Sequence, residues 1–132
     1  MGYQADVGYI NPKLISQFSD FTPKNLNKLY PLWGSLVDEN RPEISRYPNP
    51  DIFPVVIYKV ANKDLVDKIV DPYNWNNIHI RAIDSLIQIK VNGEITAEFI
   101  EKEKVKDKGC ICLQAQSGEA HETWYQNISL KI

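Results

Sequence analysis

The chain has 132 residues, of which 43% are hydrophobic and 24% are charged, and its formal net charge is −2. This length predicts one domain with a sizeable core, and the composition speaks against disorder. A nucleic acid is not expected as a partner, because proteins that bind phosphate backbones carry a basic face. The sequence contains no apolar run long enough to span a bilayer.

The first part of the chain predicts two strands separated by a long excursion. Residues 2–7 alternate polar and apolar side chains, which is typical of a half-buried strand. Residues 11–31 lose the alternation and contain two candidate helical turns, each beginning near a proline. Residues 33–37 are short and apolar, and two carboxylates, Asp38 and Glu39, follow them.

The middle of the chain predicts an irregular loop, a strand and a short helix. Four prolines lie within residues 42–54, and proline cannot donate to a sheet ladder. Residues 55–60 are rich in β-branched side chains and predict a strand. Residues 62–69 place apolar side chains at helical spacing, with Asn62 as the expected N-cap.

The clearest local signal is a hairpin over residues 85–100, preceded by a strand near residues 78–82. Asn92-Gly93 separates two alternating runs, and a type I′ turn requires positive φ at both central residues. We expect Thr96 on the solvent face. The apolar face is expected to carry Ile87, Ile89, Val91, Ile95, Ala97 and Phe99.

Two more strands are expected at the end of the chain, over residues 109–116 and 122–132. Cys110 and Cys112 would then share one face, where a disulfide between them is geometrically poor. We interpret both as small buried hydrophobic side chains. The succession of strands with a short helix predicts an all-β sandwich of antiparallel strands.

No short motif of a known chemistry is present. The sequence contains no glycine-rich phosphate loop, His-Glu-x-x-His pattern, Gly-x-Ser-x-Gly elbow or cysteine–histidine metal spacing. Any catalysis would therefore depend on carboxylates, amides and histidines spread over several strands.

Three blocks of sequence together resemble one family. They are Gly2-Tyr3-Gln4-Ala5-Asp6-Val7, Trp33-Gly34-Ser35-Leu36-Val37-Asp38-Glu39, and the stretch from Trp75-Asn76 to the end of the chain. In this order they are similar to the 3-keto-disaccharide hydrolase domain family. The resemblance implies a concanavalin-A-like jelly-roll β-sandwich with one or two short helices. It also implies bacterial sugar chemistry in the periplasm or outside the cell.

Two departures from the family affect the expectations. The chain starts after the strands that usually open the domain and carries no signal peptide, so residues 1–132 resemble its C-terminal portion. The open strand edge that this leaves suggests a homodimer. Gln116 stands where the family often has histidine, and an amide cannot act as a general acid or base near neutral pH.

Four residues are candidates for catalysis. Asp6 lies on the polar face of the first strand, and Asp38 and Glu39 could divide into acid and base if their environments separate their pKa values. His79 projects beside Arg81, and the pair could polarise a keto group. Each residue also has a non-catalytic interpretation. Asp6 could lie on a solvated strand face, and Asp38 could form a turn beside a solvated Glu39. His79 and Arg81 could form a surface pair.

Five residues are candidates for substrate binding, for two chemical reasons. An aromatic ring can stack on the apolar face of a sugar, although Trp33 fits a core position as well. Amides and guanidinium groups offer the hydrogen bonds that sugar hydroxyls need. The candidates are Gln4, Trp33, Arg81, Gln114 and Gln116.

The resemblance leaves three functions open. The first is an enzyme that cleaves 3-keto-glycosides by acid–base chemistry, with Asp6 and Glu39 as acid and base. The second is a non-catalytic carbohydrate-binding, lectin-like module, which the departure at Gln116 favours. The third is a divergent domain with only a structural role. A carbohydrate is the expected partner. The sequence leaves open whether these carboxylates and His79 bind a divalent metal, because it contains no metal-ligand pattern.

Overall fold

A computed structural model describes residues 3–10, 28, 30–39, 55–102, 109–114 and 122–131. Within these residues, strands and one helix follow in the order β1 (Tyr3–Ala5), β2 (Tyr9–Ile10), β3 (Tyr30–Pro31), β4 (Leu36–Glu39), β5 (Val55–Lys59), α1 (Lys63–Ile69), β6 (Ile78–Ile83), β7 (Leu86–Val91) and β8 (Glu94–Ile100). Every strand pair is antiparallel. The predicted all-β fold with a short helix is therefore confirmed.

Two three-stranded sheets pack against each other. Their strand orders are β1-β4-β5 and β6-β7-β8, and β2 pairs with β3 beside them. Leu36 of the first sheet forms a buried cluster with Ile89 and Ala97 of the second. Tyr3 and Phe99 add an aromatic pair, with ring centroids 6.5 Å apart. Burying a side chain such as Leu36 contributes about 1.5–3 kcal/mol, so this contact between the sheets is a main source of stability.

The predicted helix and hairpin are both present. The side chain of Asn62 caps α1 by accepting a 3.1 Å hydrogen bond from the Leu65 N–H. Asn92 and Gly93 have φ values of 50° and 92°, both positive as a type I′ turn requires. In the described part of the chain, no helix is both long enough and apolar enough to cross a membrane.

The predicted faces of Ile95 and Thr96 are wrong, because β8 contains a bulge. Ile89 pairs with Ala97, whereas the next residue of β7, Lys90, pairs with Ile95, so Thr96 has no partner in the ladder. An extra residue in one strand reverses the faces of the residues beyond it. Thr96 is consequently 6% exposed, and Ile95 is 48% exposed.

At the bulge, the second sheet is in close contact with the turn that precedes β4. The hydroxyl of Thr96 donates to the Gly34 carbonyl at 3.0 Å, with the Ile89 carbonyl as an alternative acceptor at 3.3 Å. A Cβ atom placed on Gly34 would lie only 2.8 Å from Thr96 Cβ and 2.8 Å from Val91 Cγ2. Gly34 also has a φ of +70°. Both the space and the backbone conformation at residue 34 therefore require glycine.

The last two strands predicted from the sequence are absent from the described residues of these segments. Residues 109–114 and 122–131 are exposed and belong to no strand. The φ of Asn127 is 54°, which interrupts the extended conformation that the second segment would need. The predicted burial of Cys110 and Cys112 is also wrong, since both are exposed free cysteines. A segment without a paired neighbour cannot bury its apolar face.

Two other predictions fall outside the described residues. They are the helical turns expected near Pro12 and Pro23 and the proline-rich loop over residues 42–54.

Replacing Gly34 with alanine should destabilise the chain more than replacing Gly93 with alanine. Both variants place a side chain at positive φ, which costs about 1–2 kcal/mol. A Cβ at Gly93 would meet nothing within 4 Å, whereas one at Gly34 would overlap Thr96 and Val91. We expect an additional loss of about 1–3 kcal/mol for Gly34→Ala in urea denaturation. Equal losses of unfolding free energy for the two variants would contradict the close approach of Gly34 to Thr96 and Val91.

Candidate functional site

The candidate site is built on the turn that leads into β4. The Ser35 N–H donates to the Leu32 carbonyl at 2.8 Å and closes the turn around Trp33 and Gly34. The Gly34 N–H donates to the Asp6 carbonyl at 2.9 Å, and the Asp6 N–H donates to the Ser35 carbonyl at 3.0 Å. These bonds extend the β1–β4 pairing by one step. They hold the backbone of Asp6 directly against the turn that carries Trp33.

Two predicted site residues, Asp6 and Trp33, lie at this turn, and Gln4 lies two residues before Asp6 on the same face of β1. We call Gln4, Asp6 and Trp33 the turn cluster. All three are half-buried. Asp6 Oδ1 accepts a 2.9 Å hydrogen bond from the Val7 N–H, which fixes the side chain near its own backbone. Gln4 pairs with Val37 and lies on the face of β1 opposite to that of Tyr3 and Ala5.

Trp33 carries an unsatisfied polar atom. Its indole Nε1 is buried and has no hydrogen-bond partner within the part of the chain that the structure describes. A buried N–H without a partner costs about 1–3 kcal/mol, so such groups are rare in native proteins.

Asp38 occupies a different place, between the two sheets. It is 0% exposed and pairs with Tyr3, on the same face of β4 as Leu36. Residues directly opposite in an antiparallel pair are neighbours, so Tyr3 belongs to the surroundings of Asp38. The two-residue spacing between Tyr3 and Ala5 indicates that Tyr3 lies on the interior face of β1, but it does not predict that Tyr3 lies beside Asp38. For Glu39 the structure describes the backbone, which pairs with Val55.

His79 and Arg81 lie on another surface. Both are exposed on β6, opposite Lys90 and Gln88 respectively. Between them, Ile80 pairs with the buried Ile89, so Ile80 faces the interior and its two neighbours face outward. The structure therefore brings His79 and Arg81 together, but it does not bring them to Asp38.

The remaining candidates do not extend the site. Gln114 is exposed in a segment outside any strand. Gln116 lies outside the described residues. Among the residues that the structure describes, no three histidine, cysteine, aspartate or glutamate side chains are grouped as a metal site would need.

The turn is also attached to the helix. Ser35 is 0% exposed, and its Oγ accepts a 3.0 Å hydrogen bond from the Ala61 N–H. The hydroxyl of Tyr30 donates to the Ala61 carbonyl at 3.3 Å. Burial raises the pKa of Tyr30, and Lys63 opposes this effect. Ala61 precedes Asn62, the N-cap of α1. The side chain of Ser35 therefore holds the N–H of Ala61, and the side chain of Tyr30 holds its carbonyl.

Lys63 itself forms an ion pair with Asp67 one helical turn further along α1. The hydrogen bond that Lys63 Nζ donates to Asp67 raises the pKa of the Lys63 ammonium group. Because the side chains of Lys63 and Asp67 keep 36% and 44% of their surface exposed, we interpret this pair as support for α1 and not as part of the site.

The described strands define an antiparallel β-sandwich domain. A model of the 3-keto-alpha-glucoside-1,2-lyase-like domain matches residues 6–131. The chain belongs to this family, as the three sequence blocks suggested. Searches of curated proteins and of solved structures gave no significant match.

Replacing Tyr30 with phenylalanine should flatten the loss of stability at alkaline pH. The raised pKa means that the folded chain holds the phenolic proton more tightly than the unfolded chain, whose ordinary value is 10.0. The resulting stabilisation is present below pH 10.0 and is lost as the pH rises through the folded pKa. Denaturant titrations from neutral to alkaline pH should show the steeper decline in the wild type.

The matched control is Tyr73→Phe, which removes a tyrosine that is 96% exposed. This control should keep the wild-type decline. If the unfolding free energy of Tyr30→Phe fell with alkaline pH as steeply as that of the wild type, the raised pKa of Tyr30 would be contradicted. At neutral pH the same variant should lose about 0.5–1.5 kcal/mol, because it lacks the hydrogen bond to Ala61.

Proposed function

We propose that the turn cluster binds a glycoside and that the chain cleaves 3-keto-glycosides by elimination. The observation that carries this proposal is the pairing of Asp6 with Gly34 and Ser35, which holds a carboxylate-bearing residue against the turn of Trp33. Membership of a lyase-like, carbohydrate-related family supports the substrate class. By the same reasoning we propose that the natural protein acts in the periplasm or outside the cell.

The chemistry needs one base close to a bound sugar ring. A keto group at C3 acidifies the proton at C2, and the carboxylate of Asp6 would remove that proton. The electron pair then forms a double bond between C1 and C2, and the bond from C1 to the aglycone oxygen breaks. The departing oxygen takes up a proton, and water can add to the unsaturated sugar in a second step.

Each member of the turn cluster has a role in this scheme. The half-buried ring of Trp33 would stack on the apolar face of the sugar. The amide of Gln4 offers both a donor and acceptors to sugar hydroxyls. Asp38 is less suited to direct contact, since it is 0% exposed between the sheets.

A second candidate function is sugar binding without cleavage. Gln116 replaces the histidine that the family often carries, and an amide cannot exchange a proton near neutral pH. Gln4 and Trp33 would still recognise a glycoside. The two functions differ in a single observable, which is product formation from a bound 3-keto-glycoside.

We also propose that a second copy of the chain pairs with the outer edge of β6. Among the described strands, β6 has β7 as its one neighbour. Ile78 and Ile80 face the interior side of the sheet but are 37% and 54% exposed. A twofold axis through Ile80 would place Ile80 opposite its copy and His79 opposite Arg81, which avoids like charges and covers the apolar side chains.

The proposed enzyme predicts that Asp6→Asn abolishes turnover of a 3-keto-glucoside. The asparagine Oδ1 can still accept from the Val7 N–H, so the fold should be kept while the base is lost. Loss of a general base lowers the rate by about 10²–10⁴-fold. Turnover is followed by loss of the keto-sugar absorbance under base, with and without a divalent metal.

Two comparison variants sharpen this test. Glu94→Gln removes an exposed carboxylate at the start of β8 and should keep the wild-type rate. His79→Gln should stay within a few-fold of wild type, because His79 lies on another surface. A large loss in His79→Gln with an active Asp6→Asn would contradict the turn cluster. Saturable binding without turnover in the wild type would establish the sugar-binding function instead.

The proposed pairing predicts that Ile80→Lys keeps the chain monomeric at concentrations where the wild type forms dimers. A lysine there would place two like charges opposite each other on the twofold axis. Ile83→Lys is the control, since Ile83 is also exposed but lies on the other face of β6. Sedimentation equilibrium of the three proteins should show dimers for the wild type and the control. A monomeric wild type would overturn the proposal.

A further inference from the structure

The turn residue Asn92 does more than reverse the chain between β7 and β8. Its Nδ2 donates to the Ile69 carbonyl at 2.6 Å and to Asn76 Oδ1 at 2.9 Å. Its Oδ1 accepts from the Asn77 N–H at 2.8 Å. One side chain thus joins the end of α1, the connection to β6 and the hairpin.

Asn76 completes the arrangement, and we call Asn76, Asn77 and Asn92 the amide cluster. Asn76 Oδ1 also accepts from the Asp71 N–H at 3.0 Å, while its Nδ2 donates to the Asp71 carbonyl at 2.6 Å. The backbone N–H of Asn92 donates to the Asn77 carbonyl at 2.8 Å. The segment over residues 70–77 is therefore fastened to the hairpin turn through amide groups.

Asn92 also precedes a glycine, and this sequence favours attack of a backbone nitrogen on the asparagine side chain. The sequence contains Asn-Gly once, at Asn92-Gly93, and Asn92 is an exposed residue. Glycine carries no side chain to hinder its own nitrogen, which can attack the neighbouring side-chain amide carbon. Water and hydroxide reach the site because it lies on the surface.

We propose that Asn92 is a spontaneous deamidation site that the folded chain protects, and that its conversion releases residues 70–77 from the hairpin. The Gly93 nitrogen attacks Asn92 Cγ, a C–N bond forms, and the Cγ–Nδ2 bond breaks. Nδ2 leaves as ammonia after gaining the proton of the Gly93 nitrogen. One water molecule then opens the cyclic imide at either carbonyl and yields aspartate or isoaspartate.

The hydrogen bonds explain the protection. Attack on Cγ requires the side chain of Asn92 to turn toward Gly93, and this movement breaks its bonds to Ile69, Asn76 and Asn77. The reaction therefore proceeds from a locally opened state, whose population is set by the stability of the amide cluster.

The product explains the release. A carboxylate accepts hydrogen bonds but does not donate them. Both partners of Nδ2, the Ile69 carbonyl and Asn76 Oδ1, are acceptors as well. Aspartate at this position would face two oxygens without a proton between them. Isoaspartate would additionally lengthen the backbone of a two-residue turn, so the cluster could not close again.

The test measures deamidation of the full chain at mildly alkaline pH, by ammonia release and peptide mass spectrometry. Folded wild type should react at least about tenfold more slowly than the chain in urea, because opening must break three hydrogen bonds. Asn76→Ala should accelerate the reaction of the folded chain and leave the rate in urea unchanged. Asn74→Ala is the matched control and should react as wild type, since within the described residues the Asn74 side chain accepts only from the adjacent Trp75 N–H.

Equal rates in the folded and urea-unfolded wild type would overturn the proposal. If Asn76→Ala does not fold, hydrogen exchange of purified, deamidated wild type decides instead. The amide hydrogens of Asn77 and Asn92, which are bonded within the cluster, should exchange faster after deamidation, while those of β7 next to β8 stay protected. Unchanged exchange at Asn77 and Asn92 would likewise overturn the release.

Discussion

The contact between Thr96 and Gly34 is the constraint on which the rest of the described structure depends. The turn before β4 can approach Thr96 and Val91 of the second sheet because Gly34 presents no Cβ atom. The bulge in β8 turns Thr96 inward to meet it, and the hydrogen bond satisfies a carbonyl that would otherwise be buried without a donor. Leu36, two residues further on, then reaches Ile89 and Ala97 in the interior.

The same contact positions the candidate site. Gly34 is bonded on one side to Thr96 of the second sheet and on the other to the backbone of Asp6. Ser35 continues the connection to Ala61 and thereby to the start of α1. The Trp-Gly-Ser-Leu block therefore has a structural meaning in this chain. Its glycine and serine fix the turn, and its tryptophan projects from a position that three separate segments hold in place.

The sequence predicted well what depends on neighbouring residues. Positive φ at Asn92-Gly93 and the Asn62 cap are set within a few residues, so local patterns were sufficient. The bulge at Thr96 was missed, because the group that draws Thr96 inward lies 62 residues earlier in the chain. Alternation at residues 109–116 and 122–132 showed which faces could be buried, but it could not show whether a neighbouring strand was there to pair.

The candidate site was only partly predictable for the same reason. Alternation correctly placed His79 and Arg81 together and Gln4 away from Tyr3. It could not show that Asp38 lies between the sheets while His79 lies outside them, since that depends on how two sheets stack. The sequence also could not predict that Asn92 joins α1 to the hairpin, because one of its hydrogen-bond partners, Ile69, lies 23 residues away.

The claim that Gln4, Asp6 and Trp33 form the sugar site can be tested directly by NMR. The measurement is the indole N–H signal of Trp33, identified by its loss in Trp33→Phe, during titration with a 3-keto-glucoside. Binding at the turn cluster predicts a saturable shift of this signal and of the Asp6 backbone amide. Shifts confined to His79, Arg81 and Lys90 would contradict the account and place the sugar on the outer face of the second sheet.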